Sequence, residues 1–189
     1  MSHGHEALGA ATYGRAVEAE RSAKDAFFHS STHSPLDPSA REAFRGLDYF
    51  PVDATYRIVR VRLLPYVGDR PVAFVMPTSD GRNRDATRAG SFVFEIGGVR
   101  QILTAYRFPG AGDKTLFVPF LDATSGSETY GAGRYLDVEA ERDARFVLDF
   151  NLAYHPYCAY SPFFSCPLTP AENRLDIRIE AGERLASAR

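Results

Sequence analysis

The sequence predicts a mainly β (α+β) chain, a single antiparallel β-barrel or β-sandwich domain with a helical N-terminal arm. Three observations carry that prediction. Apolar and polar residues alternate over seven or eight short runs between residues 56 and 180, the period-2 signature of half-buried strands. Helices that would cross between parallel strands are absent from these runs, so neighbouring strands are expected to pair antiparallel. The one long stretch rich in Ala, Glu, Arg and Lys without proline lies ahead of them all. At 189 residues the chain has the size of one domain, able to bury roughly 70% of its unfolded surface. No repeat or linker divides it. The arm is expected over residues 1–50 and the β domain over 51–189.

Each element follows from local chemistry. Gly14 to Phe28 reads as a helix with a modest apolar face of Val17, Ala23, Ala26 and Phe27. Asp37 before Pro38 is a start signal for a short second helix, an acceptor at the cap and a proline in the first turn. Leu47 to Pro51 closes the helical arm. In YRIVRVRLL (Tyr56 to Leu64), Val59, Val61 and Leu63 alternate with Arg60 and Arg62. PVAFVM (Pro71 to Met76) follows a Gly-Asp turn. SFVFEI and VRQILTAYRF flank Gly97-Gly98, two residues suited to the positive φ of a tight hairpin. TLFVPF, RYLDV and RFVLDF add three strands, and LDIRIE (Leu175 to Glu180) is expected to be the last.

Composition excludes several functions. A net charge of −2 and a pI near 6.2 lack the basic excess that binding to a phosphate backbone demands, so nucleic acid is not an expected partner. Of the 22 basic residues only Lys24 and Lys114 are lysine. The scattered arginines fit GC-rich coding better than a dedicated anion site. No secretory signal opens the sequence, and no run reads as a membrane helix. The expected location is the cytoplasm, where thiols stay reduced.

One segment stands apart. Phe150 to Ala171 holds both cysteines, four of the 12 prolines and six aromatic side chains, with no Lys, Arg, Asp or Glu. Prolines 156, 162, 167 and 170 forbid a helix or a central strand through it. The aromatics argue for order, and a long ordered connection is usually functional.

Standard motifs fail around it. Gly126 and Gly131 have P-loop spacing, but Ala132 and Gly133 stand where Gly-Lys should follow. Gly131-Ala132-Gly133 lacks the third glycine of a dinucleotide fingerprint. His29 and His33 are four apart, yet Ser30 replaces the base glutamate of a zinc-protease helix and Pro35 ends the helix. His3 and His5 form a short terminal His-Gly-His. Cys158 and Cys166 have neither zinc nor Cys-x-x-Cys spacing. No metal site is expected, and the sequence identifies no cofactor. Three readings of the thiols stay open: Cys158 as a nucleophile activated by His155 or another charged group, a disulfide between the two, or two buried small apolar residues.

A second polar loop, Phe120 to Asp137, sets Asp122, Glu128 and Arg134 among Gly, Ser and Thr between two strands. Glu128 suits acid-base work and Arg134 suits clamping an anion or carbonyl; a Glu-Arg pair pinning a turn explains them equally well. Asn151, Tyr154 and Asn173 bracket the aromatic loop with polar groups that need partners.

The ordered series LFVPFLDATSGSETYGAGRYLD and LDFNLAYHPYCAYSPFFSCPLTPAENRLDIRIEAGE resembles the bacterial and archaeal family catalogued as domain of unknown function 1684. Upstream HSPLDPSAREAFRGLDYFP and VMPTSDG are similar to it too, so the resemblance runs from about His33 to Glu183. It implies no established activity, substrate or cofactor. It marks Glu128, Tyr130, Gly133, Arg134, Asn151, Tyr154, Pro156, Tyr157, Cys158, Cys166, Pro167 and Asn173 as pattern positions. His155 departs from it, since similar proteins often carry Asn before Pro-Tyr-Cys.

The expected function is binding of a small molecule in a pocket formed by the 120–137 and 150–173 loops. Glu128, Arg134 and Cys158 are the candidate catalytic groups, and Tyr130, Asn151, Tyr154, Tyr157 and Asn173 the candidate ligand-binding groups. The alternative is a non-catalytic interaction module or a structural β unit.

Overall fold

The computed structural model describes residues 9–110, 114–141 and 143–186. His3 and His5 lie outside the described residues. Helix α1 spans Ala10–Ser30 and α2 spans Pro38–Ala43. Asp37 caps α2 as expected, its carboxylate accepting the Ala40 N–H at 2.8 Å.

The strands are β1 (Asp48–Tyr49), β2 (Arg57–Leu64), β3 (Ala73–Pro77), β4 (Asn83–Ile96), β5 (Val99–Arg107), β6 (Thr115–Phe120), β7 (Arg134–Glu139), β8 (Arg145–Asp149) and β9 (Glu183–Arg184). All ladders between these strands are antiparallel. The main sheet runs β7-β6-β5-β4-β2-β8, with β3 paired to β4. It curls until β7 and β8 lie alongside each other without a ladder, a nearly closed barrel. Strand β4 is long enough to pair with β3 through its first half and to meet β2 through Ser91 and Phe92. The β4–β5 hairpin turns at Gly97 and Gly98, with φ of 58° and 77°.

The barrel interior is apolar. Leu103 and Ala105 of β5, Leu116, Val118 and Phe120 of β6, and Leu136 and Val138 of β7 meet Phe92, Phe146, Leu148 and Phe150 there. Alternation sends the intervening Phe117, Tyr135 and Asp137 to the outer face. That outer face is covered by α1 and by the aromatic loop.

Two expectations are corrected. Residues 175–180 form no strand. Leu175 and Ile179 are buried and their neighbours exposed, so the alternation is real, but their backbone groups go elsewhere. Leu175 N–H donates to Leu121 O at 2.8 Å, Ala123 N–H donates to Ile177 O at 2.9 Å, and Ile179 N–H donates to the Asp122 carboxylate at 2.7 Å. Alternation reports which side faces the core and not whether a ladder exists. Second, the buried stripe of α1 is Tyr13, Val17, Arg21 and Phe28, while Ala23 and Ala26 are exposed. The helix docks largely through polar side chains. Tyr13 OH donates to Asp149 at 2.7 Å, and Arg21 reaches the Asn151 carbonyl at 3.4 Å.

The segment from 150 to 173 contains only single turns, Phe150–Leu152, Tyr157–Ala159 and Ala171–Asn173. Isolated bridges from Tyr154 to Tyr135 and from Pro167 to Thr78 fasten it to the barrel. Gly182 brings the chain back beneath it with φ of 77°; a Cβ there would lie 2.6 Å from Ala153 O and 2.7 Å from Phe150 O. No helix among the described residues is long and apolar enough to cross a membrane.

Candidate functional site

A cleft of about 640 Å³ opens between the barrel, α1 and the aromatic loop. Its floor is the outer face of the sheet. Phe108 follows β5, Phe117 comes from β6, and Tyr135 and Asp137 come from β7. The rings of Phe108, Phe117, Tyr135 and Tyr154 form a continuous series, with centroids 5.4, 4.7 and 5.7 Å apart. Phe27 and Phe28 of α1 make one wall; Pro156, Tyr157, Phe164 and Cys166 of the loop make the other. Arg84 of β4 closes one end, its guanidinium 4.5 Å from the Phe108 ring centre. Lys24 stands at the other, its ammonium 4.8 Å from the Tyr154 ring centre. The size and the apolar walls with few charges match an ordinary ligand site.

Beneath Lys24 lies a buried polar cluster. Glu183 is 1% exposed and binds the Lys24 ammonium, the Tyr160 hydroxyl at 2.8 Å and the His155 backbone N–H at 2.7 Å. His155 Nε2 accepts the Tyr130 N–H at 3.2 Å, while its Nδ1 lies 3.8 Å from Glu183, beyond hydrogen-bond reach. Burial, aided by the charges of Arg134 and Lys24, pulls the His155 pKa down to about 3. The ring is therefore neutral at physiological pH. Tyr154 is held protonated by burial and by Asp137, to which its hydroxyl donates at 2.5 Å.

The residues singled out in the sequence divide between two places. Tyr154 and Tyr157 line the cleft. Arg134 does not: it shares the inward parity of Leu136, is fully buried, and faces the barrel end opposite to the Tyr135 side of the strand. Its guanidinium pairs with Asp122 at 3.3 Å and donates to the carbonyls of Ile179, Ala181 and Glu183. Burial lowers its pKa and Asp122 opposes that fall. Glu128 pairs instead with Arg178 at 2.7 Å on the surface, so Glu128 and Arg134 are not brought together. Asn151 binds the Asp53 N–H and C=O at 2.9 and 2.8 Å. Asn173 spans Thr104 and Pro119, taking the Thr104 N–H at 2.8 Å. Both asparagines are buried and tie loops to the barrel.

The thiols of Cys158 and Cys166 are free, and the Cys158 N–H donates to Cys166 Sγ at 3.2 Å. Burial and the neighbouring Cys158 push the Cys166 thiol up to about 11. Burial and the same Cys158 also raise the pKa of Tyr130. No hydrogen bond joins His155 to Cys158 among the described residues. No group of three or more metal-ligating side chains assembles among the described residues either.

A family model described as protein of unknown function, DUF1684, matches residues 42–184. The chain belongs to DUF1684. The match takes in the barrel and the aromatic loop, whereas the α1 residues of the cleft wall precede it. The chain is also similar to an uncharacterized protein of Haloarcula marismortui, known from a solution NMR structure. The two are 39% identical with a TM-score of 0.67, and the likeness covers 92% of this chain and 94% of that one. Among curated proteins, none matches. Neither DUF1684 nor the haloarchaeal relative carries an assigned activity.

The cleft residues that the sequence reading missed are Lys24, Phe27, Phe28, Arg84, Phe108, Phe117, Tyr135 and Asp137. A signal for three of them was present. If Leu116, Val118, Leu136 and Val138 face inward, then Phe117, Tyr135 and Asp137 face outward, and outward aromatics need a cover. The same parity turns Arg134 away from the cleft.

Proposed function

We propose that this DUF1684 protein binds a small, largely apolar molecule in the cleft between α1, the β5–β7 face and the aromatic loop. The observation that carries this reading is the unbroken series of rings from Phe108 to Tyr154, facing a space of about 640 Å³. An open cleft of this size with aromatic walls has the dimensions and lining of a small-molecule site. Tyr154 and Tyr157 remain ligand contacts in this proposal; Asn151, Asn173, Arg134 and Glu128 hold the scaffold. The free thiols support a cytoplasmic setting.

Binding is favoured over catalysis because Cys158 has no hydrogen bond to His155, and His155 already accepts the Tyr130 N–H. The interaction-module alternative rests on Phe163, which is 92% exposed at the tip of the loop. One exposed ring is not a patch, so it carries less weight than the cleft.

The test uses N-phenyl-1-naphthylamine, a neutral aromatic probe whose fluorescence rises in apolar surroundings. Saturable binding to the native protein is expected, weakened at least tenfold by Phe27→Ala and by Phe164→Ala with the circular dichroism unchanged. Both rings are only half-buried, so the fold tolerates their loss. Affinity that is unmoved by either change would remove the cleft as the site.

A further inference from the structure

We infer that the ligand of this cleft is an amphipathic anion, an apolar body lying on the ring series with its carboxylate or similar head group on Arg84. The inference rests on the binding reading above and adds the charge of the ligand. Three charged side chains line the cleft, and they differ in what already answers them. Lys24 is neutralised by the buried carboxylate of Glu183. Asp137 is exposed and accepts the Tyr154 hydroxyl. Arg84 has no ion pair among the described residues, and its guanidinium lies over the face of Phe108.

Stacking leaves the edge of a guanidinium open. Its N–H groups lie in the plane of the fork, so an arginine flat on a ring presents a two-pronged donor to whatever lies at the ring's rim. Arg84 also lines a smaller hollow of about 260 Å³, together with Arg82, Asn83 and Ser165. No carboxylate is among the residues that line this hollow, and Asp80, which binds two of them, is occupied: it accepts from Thr78 at 2.6 Å and Ser165 at 2.8 Å, and pairs with Arg82 at 2.5 Å. A head group seated there meets net positive charge and two further polar side chains.

A cationic ligand is disfavoured by the same geometry. Aromatic walls attract cations, but the Arg84 guanidinium, with no carboxylate paired to it, already occupies the Phe108 face at this end of the cleft, and a second cation beside it would be repelled. The shared chemistry of the fitting ligands is therefore an anion on an aromatic or acyl body.

The experiment compares 8-anilinonaphthalene-1-sulfonate with its uncharged counterpart N-phenyl-1-naphthylamine on the wild type and on Arg84→Gln, at low salt. Arg84 is exposed, so the variant folds. The expected result is at least a tenfold loss of sulfonate affinity in Arg84→Gln, with the neutral probe held within twofold. Equal response of both probes would overturn the anion assignment while leaving the cleft in place. Failure of the neutral probe to bind the wild type would instead remove the binding site itself. Displacement of the bound sulfonate by 2-naphthoate or by decanoate then separates an aromatic from an acyl body; displacement by neither overturns the carboxylate assignment.

Discussion

At the scale of the residue, the contrast between Arg134 and Glu128 decides what the polar loop between β6 and β7 is for. Arg134 is a fully buried charge whose partners are one carboxylate and three backbone carbonyls from the returning C-terminal segment. Arg134→Ala strands all of them and is expected to cost about 3–5 kcal/mol, since removing one member of a buried pair leaves the other unanswered. Glu128→Gln is expected to leave the urea midpoint unchanged, because both partners of its ion pair are nearly half exposed. Equal midpoints for the two variants would refute the assignment of Arg134 as a structural latch. The sequence showed both residues in one Gly- and Ser-rich loop, and there they look alike. What separates them is that Arg134 begins a strand whose parity is set by Leu136 and Val138, while Glu128 precedes the turn. That distinction was legible in RYLDV, but a charge at an inward position reads as an error until its partners are visible.

At the scale of the element, α1 shows why a weak apolar pattern still makes a firmly placed helix. Its apolar stripe is short, and its ends are held by Tyr13, Arg21 and Lys24, whose polar tips find Asp149, the Asn151 carbonyl and Glu183. Tyr13→Phe removes a donor to a carboxylate and an acceptor for the Asn151 amide, a loss of about 2 kcal/mol. Because α1 supplies a cleft wall, faster amide exchange over residues 10–30 and weaker binding of the neutral probe are expected together. Unchanged exchange in α1 would contradict polar docking. The existence of the helix and the Asp37 cap of α2 were readable from local chemistry. The face was not, because hydrophobicity ranks Ala26 above Tyr13 and Lys24, and only the barrel says which polar tips have partners. The same limit explains residues 175–180, whose alternation was sound and whose ladder was imagined.

At the scale of the whole molecule, the period-2 runs and the lack of crossover helices were enough to give an antiparallel barrel or sandwich, because each depends on backbone geometry alone; the closure into a barrel is seen only in the structure. The order β7-β6-β5-β4-β2-β8 was not readable either, since β2 meets β8 across nearly half of the chain. Stability as a function of pH is a property of this whole assembly. His155 is neutral in the native state down to about pH 3, whereas its unfolded counterpart takes a proton near pH 6.5. Unfolding therefore gains protons below pH 6.5, and stability falls with acidification by at most about 1.4 kcal/mol per pH unit. His155→Asn is expected to flatten that slope between pH 6.5 and 4.5 in urea titrations; an unaltered slope would assign it to other groups. Below that window Asp80, held low by hydrogen bonds from Thr78 and Ser165, and Glu172, held low by Arg88 and Tyr106 despite its burial, add losses of their own. The latch at Arg134 also fixes an order of events during synthesis. Its last carbonyl partner, Glu183, lies 49 residues later in the chain. At ribosomal speeds of 5–20 residues per second that is a delay of about 2–10 s. Throughout it the guanidinium and Asp122 must stay hydrated, so the end of the barrel they occupy stays open on the nascent chain. The strands can pair as they emerge, but the molecule is sealed only by its tail.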